Sequence, residues 1–197
     1  PTRCDDDQFD CDCLDIPPAP IGIVGRFNDL GVHNGVVWVS AYSDTYGDLM
    51  VGRHTANGGF LWQWVDGLPV GVEPDANPTG PRGGHTLPGP DVGRYTAMAI
   101  SDQGGLHISY YDFTNEDLKH AWGTAGAWQT ETVDSVGHVG WHASIAVAGD
   151  GTVHISYYDG TYVNLKHAWG TAGAWQTETV DSVGNVGRYT SIAIAGD

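Results

Sequence analysis

The sequence predicts an all-β fold assembled from tandem four-stranded antiparallel units, and three observations predict it. A 47-residue segment is followed immediately by a near copy of itself. Each copy reads as four short runs of β-branched and aromatic residues separated by glycine-bearing turns. No 3.6-residue hydrophobic period of useful length is present, so helices should be scarce.

The repeat comes first, because a fixed period of this length defines the architecture. Residues 92–138 (VGRYTAMAISDQGGLHISYYDFTNEDLKHAWGTAGAWQTETVDSVGH) align without gaps on residues 139–185, with 31 identical positions of 47. A further copy opens at Val186 with VGRYTSIAIAGD and runs to Asp197. Upstream, VGRF at 24–27 and WVSAYSDTYGDLM at 38–50 repeat the same order of features with looser spacing.

Taken along the chain, residues 1–23 form an acidic, cysteine-bearing segment and 24–70 a divergent unit. Residues 71–91 carry five prolines and five glycines in 21 positions, the composition of a functional loop or a disordered linker. Residues 92–138 and 139–185 are the two close copies, and 186–197 would be the first strand of an incomplete one.

Within the copy at 139–185 the first strand is SIAVA (144–148), with Ile145 and Val147 on one face and small residues on the other. GDGT (149–152) is an Asp-Gly hairpin signal. VHISYY (153–158) forms the second strand, LKHAW (165–169) the third, and AWQTETV (174–180) the polar, threonine-rich outer edge.

Four antiparallel strands per 40–50 residues is the pattern of a β-propeller blade, with an open solenoid of β-sheets as the alternative. The run of VGRYT, the Asp-Gly turn, HISYYD, LKHAW and AW-T-ETVD resembles tandem blades of large secreted bacterial repeat proteins, often labelled sialidase-like or propeller repeats. That resemblance implies a propeller fold and an extracellular or cell-surface location, and no activity. The sialidase-type aspartate box S-x-D-x-G-x-x-W is echoed at Ser101–Gly105 and Ala148–Thr152 without its tryptophan.

Closed propellers carry roughly four to eight blades. Two close units, one divergent unit and one opening strand leave three expectations. The chain is part of a longer one, it closes as an oligomer, or its last strand completes a neighbour's blade.

Composition narrows the function classes. The net charge is −16, from 24 acidic against 8 basic side chains. Such a field repels phosphate backbones and anionic membrane surfaces, so neither nucleic acid nor a membrane is an expected partner. No run of apolar residues approaches the roughly 18–20 of a membrane helix.

Cys4, Cys11 and Cys13 are disulfide candidates; Cys4 with one of the others would staple the N-terminus in an oxidising compartment. Asp5, Asp7, Asp10 and Asp12 alternate in a way compatible with calcium, and no other cofactor is expected, although the glycine and terminal glutamate of an EF-hand loop are missing. A solvated acidic tail explains them equally.

HISYYD occurs at 107–112 and 154–159. Strand alternation places His107, Ser109 and Tyr111 on one face and Ile108, Tyr110 and Asp112 on the other, so the aspartate of a Ser–His–Asp set points away from its histidine. His120 and His167 invite a metal reading. Nothing in the sequence brings two histidines close, and no Cys or Glu is expected beside them.

Trp122, Trp128, Trp169 and Trp175, with Tyr110 and Tyr157, are candidate sugar platforms between blades; packing between blades is the competing role. The leading expectation is a non-catalytic extracellular scaffold or adhesion module. It would assemble with other copies of itself or adjoining blades, into an oligomer or filament. A multivalent carbohydrate-binding propeller is the alternative, and a glycoside hydrolase relic with paired carboxylates the third.

Overall fold

A computed structural model describes residues 22–68, 81–124 and 126–195. Twelve strands form three four-stranded antiparallel sheets. The first holds β1 (Val24–His33), β2 (Val36–Ser43), β3 (Asp48–His54) and β4 (Phe60–Asp66). The second holds β5 (Val92–Ile100), β6 (Leu106–Asp112), β7 (Asp117–Thr124) and β8 (Ala127–Asp134). The third holds β9 (Val139–Val147), β10 (Val153–Asp159), β11 (Asn164–Thr171) and β12 (Ala174–Asp181). Every sheet keeps sequence order, so each is a meander closed by tight turns. Among the described residues there is no α-helix; at Pro81–Gly84 the backbone turns through left-handed Arg82 (φ 54°) and Gly83 (φ 67°).

The turns follow from local chemistry. At the Asp-Gly turn, Asp150 Oδ1 accepts the Thr152 N–H at 2.9 Å and Gly151 takes φ 88°, where a side chain would be strained. Asp112 caps the β6–β7 turn through the N–H groups of Thr114 and Asn115, and Asp159 repeats this with Thr161 and Tyr162. The aspartate of HISYYD is therefore a turn residue.

Apolar side chains meet between consecutive sheets. Leu49 and Val51 of the first pack with Met98, Leu106, Ile108, Tyr110 and Ala121 of the second. Leu118 and Val133 of the second pack with Ile145, Ile155, Tyr157 and Ala168 of the third. Each fully buried leucine or isoleucine contributes about 1.5–3 kcal/mol, so the sheets hold one another rather than standing alone. The outer strand β8 turns Gln129, Thr130 and Thr132 outward, a polar edge that discourages pairing with other chains.

At the opposite edges, β5 lies beside both β1 and β9. Asp29 Oδ2 accepts the Met98 N–H at 2.8 Å, so a side chain of one first strand satisfies the open backbone of the next. Residues 186–195 form no strand. Their backbone joins no ladder, although Ile192 N–H reaches Ser144 Oγ at 3.3 Å.

Two expectations need adjustment. The first strand of the third sheet begins at Val139 rather than Ser144, because Val139 and Trp141 pair with Asp159 and Tyr158 across an irregular register. The described half of the Pro/Gly-rich loop is tethered: Arg82 Nη2 donates to the carbonyls of Pro88, Gly89 and Pro90 and reaches Asp48 at 3.5 Å. Burial pushes the Asp48 carboxyl up to about 8 against the pull of Arg82.

Candidate functional site

Each first strand opens with the same four-residue figure: VGRF (24–27), VGRY (92–95), VGWH (139–142) and, in the final segment, VGRY (186–189). The valine N–H reaches back to the preceding sheet: Val92 to Gly47 O, Val139 to Glu116 O and Val186 to Val163 O, at 2.9–3.0 Å. The glycine then passes over the start of that sheet's third strand. A Cβ on Gly140 would lie 2.8 Å from Leu118 Cα, and one on Gly93 2.7 Å from Leu49 Cα.

One extra residue follows in each strand. Arg94 pairs with Tyr111 and Ala97 with Ser109, three steps against two, and β1 and β9 show the same bulge. The bulged residues Phe27, Tyr95 and His142 take φ 49°, 53° and 53°, and Tyr189 takes 54°. Such backbone is uncommon for bulky side chains and costs about 1–3 kcal/mol each.

The bulges turn four rings into one ladder. Ring centroids lie 4.6 Å apart for Phe27–Tyr95, 4.5 Å for Tyr95–His142 and 4.2 Å for His142–Tyr189. Beside the rings, Asn28, Thr96, Ala143 and Thr190 complete a groove of about 510 Å³. Thr96 is 6% exposed and its hydroxyl has no partner among the described residues, whereas Thr190 bonds Ser156 Oγ at 2.9 Å. Burial and the nearby Arg188 charge lower His142 and so favour its neutral ring. Among the described residues no carboxylate, thiol or lysine lines the groove. Its chemistry is stacking and neutral hydrogen bonding.

The faces between sheets carry a second constellation, present twice. Asp66 Oδ2 accepts the Tyr110 hydroxyl at 2.7 Å and pairs with the Lys119 ammonium. Asp134 Oδ2 accepts the Tyr157 hydroxyl at 2.7 Å and pairs with Lys166. Burial alone would raise Asp134; the bonds from Lys166 and Tyr157 outweigh it and hold the carboxyl below its ordinary range.

Glu131 Oε2 reaches over to accept the Gly173 N–H at 2.7 Å, and Gln63 Oε1 takes the Gly126 N–H at 2.9 Å one sheet earlier. Behind Glu131 stands a chain of rings: His107 Nδ1 and His120 Nε2 are 3.1 Å apart, and His120 Nδ1 lies 3.1 Å from Glu131 Oε1. His154, His167 and Glu178 repeat it at 3.1 and 3.0 Å. Burial pushes His120 down to about 4, against the bond from Glu131.

Several expected residues take other places. Histidines expected to stand apart are in contact, and the partner thought missing is Glu131 or Glu178. Cross-strand register pairs His120 with Glu131 and Ser109 with His120, a relation invisible along the chain. His120 is 1% exposed, whereas the copy ends on Glu178, whose side chain is 54% exposed. Among the described residues no metal-binding group of three or more side chains converges.

Tyr110 and Tyr157 are fully buried, with no ring face left for a sugar. Trp128 packs on the first core and donates to Gln63 at 3.3 Å, while Trp175 packs on the second core and against His120. Half-buried Trp122 and Trp169 stack on His120 and His167 at 5.2 and 5.0 Å. Asp5, Asp7, Asp10, Asp12, Cys4, Cys11 and Cys13 lie outside the described residues. The groove was missed at the sequence level, although its signal was present: an aromatic ring in fourth position of every VG figure.

No family model matches the chain, and no curated protein does. Among solved structures it is similar to a protein of unknown function from Dyadobacter fermentans, at 16% identity and TM-score 0.52. That match covers 76% of this chain and 49% of the other, so the chain spans about half its length. A fucose lectin from Kordia zhangzhouensis matches at 14% identity and TM-score 0.42, covering 77% of this chain and 96% of the lectin. An intramolecular trans-sialidase from Ruminococcus gnavus matches at 17% and 0.39, covering 83% and 34%. At such identities the likeness to the first is one of fold.

Proposed function

We propose that the chain is a non-catalytic repeat scaffold whose sheets are β-propeller-type blades gathered around their first strands. One observation carries this reading: the same Asp–Tyr–Lys contact joins the first sheet to the second and the second to the third. Catalysis needs unlike groups converging once, whereas here the polar networks come in copies. A secreted or cell-surface location belongs to the same reading and rests on the repeat's resemblance. The test is turnover on a broad panel of chromogenic glycosides and esters. None is expected; a rate abolished by one substitution in the groove would overturn the non-catalytic reading.

A second reading, saccharide binding, is favoured by the ring ladder. An exposed Tyr189 ring and half-buried Phe27, Tyr95 and His142 rings beside neutral hydroxyl and amide groups suit a sugar, whose C–H faces stack and whose hydroxyls need partners. The site moves from the tryptophans between sheets to Tyr95, His142 and Tyr189. Calorimetric titration across a glycan panel should find a saturating ligand, weakened at least about tenfold by Tyr189→Ala, a ring already 82% exposed and outside the core. Silence across the panel removes this reading.

A further inference from the structure

The face of the third sheet that looks away from the second is a copy of a joint without its cover. Within the joint, Val133 is 9% exposed; its copy Val180 is 56% exposed. The Glu131 side chain is 16% exposed and that of Glu178 54%. Asp134 is buried and its copy Asp181 exposed. Yet the acceptors are already set: Val183 N–H bonds Asp181 Oδ1 at 2.9 Å, as Val136 N–H bonds Asp134 at 3.0 Å.

The start of a further unit is also seated there. Val186 N–H bonds Val163 O at 3.0 Å, and a Cβ on Gly187 would lie 2.7 Å from Leu165 Cα, the contacts made by Val139 and Gly140 one sheet earlier. Tyr189 extends the ring ladder from His142.

We propose that this face docks one further sheet of the same repeat, built onto residues 186–195. That sheet presents a tyrosine hydroxyl and a lysine ammonium to Asp181 and a turn N–H to Glu178. The inference rests on the repeat-scaffold reading. Continuity with two existing joints identifies the occupant, and charge supports it, since the face offers carboxylates to a cation and two donors. A second copy of this chain does not fit. The cross-strand pair Tyr110–Lys119 of the second sheet, repeated as Tyr157–Lys166, is Ala41–Met50 in the first. A first sheet laid on this face in the same register would desolvate Asp181 and offer it neither the hydroxyl nor the ammonium, since Ala41 and Met50 stand at those positions.

The experiment compares the chain with one extended after Asp197 by a further copy of residues 151–185. In the extended chain, amides of β12 should exchange with deuterium at least about tenfold more slowly. Asp181→Ala should shift the melting temperature by under about 1 °C in the shorter chain and by about 5 °C or more in the extended one. Replacing the appended tyrosine and lysine with alanine and methionine should bring that second shift back near zero. Unchanged exchange, including from an appended copy that stays unfolded, overturns the proposal, as does an equal Asp181→Ala effect in both chains. Self-association of the shorter chain that Asp181→Ala abolishes would give the face to a second copy and overturn it too. Asp134→Ala separates the two levels: if it is silent, the scaffold reading fails, not only this inference.

Discussion

Asp134→Ala is the most direct probe of how the sheets are joined. The substitution takes the acceptor from Tyr157, which is fully buried, and from Lys166, which is 9% exposed. Removing one partner of a buried ion pair costs about 3–5 kcal/mol. Lys166 retains some contact with water, which places its share near the lower end; the stranded hydroxyl adds about 1–2 kcal/mol. The sum is about 4–5 kcal/mol. For a chain of this size each kcal/mol moves the melting temperature by roughly 2–4 °C, so a fall of roughly 8–20 °C is expected.

Thermal and urea unfolding followed by tryptophan fluorescence would read the change. Adding Lys166→Met to Asp134→Ala removes the stranded cation and should recover about half of the loss, because methionine already holds this place in the first sheet at Met50. A single-variant loss below about 1 kcal/mol, or strict additivity of the pair, would refute the buried-pair account. The pH dependence gives a second check. The Asp134 carboxyl is held below its unfolded value, so its contribution is present above about pH 4 and is lost as the pH falls further.

Other outcomes follow from the same geometry. Gly140→Ala should destabilise by about 2 kcal/mol more than Gly25→Ala; both have positive φ, but only Gly140 faces backbone, at Leu118, while Gly25 faces open space. Denaturant midpoints of the two variants would measure the difference. His120, pushed down to about 4 from about 6.5, supports folding fully above pH 6.5 and progressively less as the pH falls toward 4, by up to about 3 kcal/mol. In NMR titration its ring should stay neutral above about pH 5. Combining His120→Val with Glu131→Gln, the residues at Val51 and Gln63 in the first sheet, should flatten that part of the pH–stability curve; an unchanged slope would exclude His120 as its source.

The sequence by itself determined the strand content and the unit. A 47-residue period, an Asp-Gly turn and alternating aromatic runs are local signals, because hairpin pairing joins neighbours in the chain. The same alternation placed Asp112 on the opposite face from His107, and the capping bonds to Thr114 and Asn115 gave it a turn role. Tertiary structure decided what the faces meet. His120 finds Glu131 across a strand register, Tyr110 finds Asp66 44 residues away, and Gly173 finds Glu131 in the neighbouring sheet. Such partners are set by how one sheet lies on the next, and a period along one chain does not encode that geometry. The bulge was hidden for a related reason. Tyr95 reads as one more aromatic residue in a strand until the register slips by one, and only then do the four rings become a ladder.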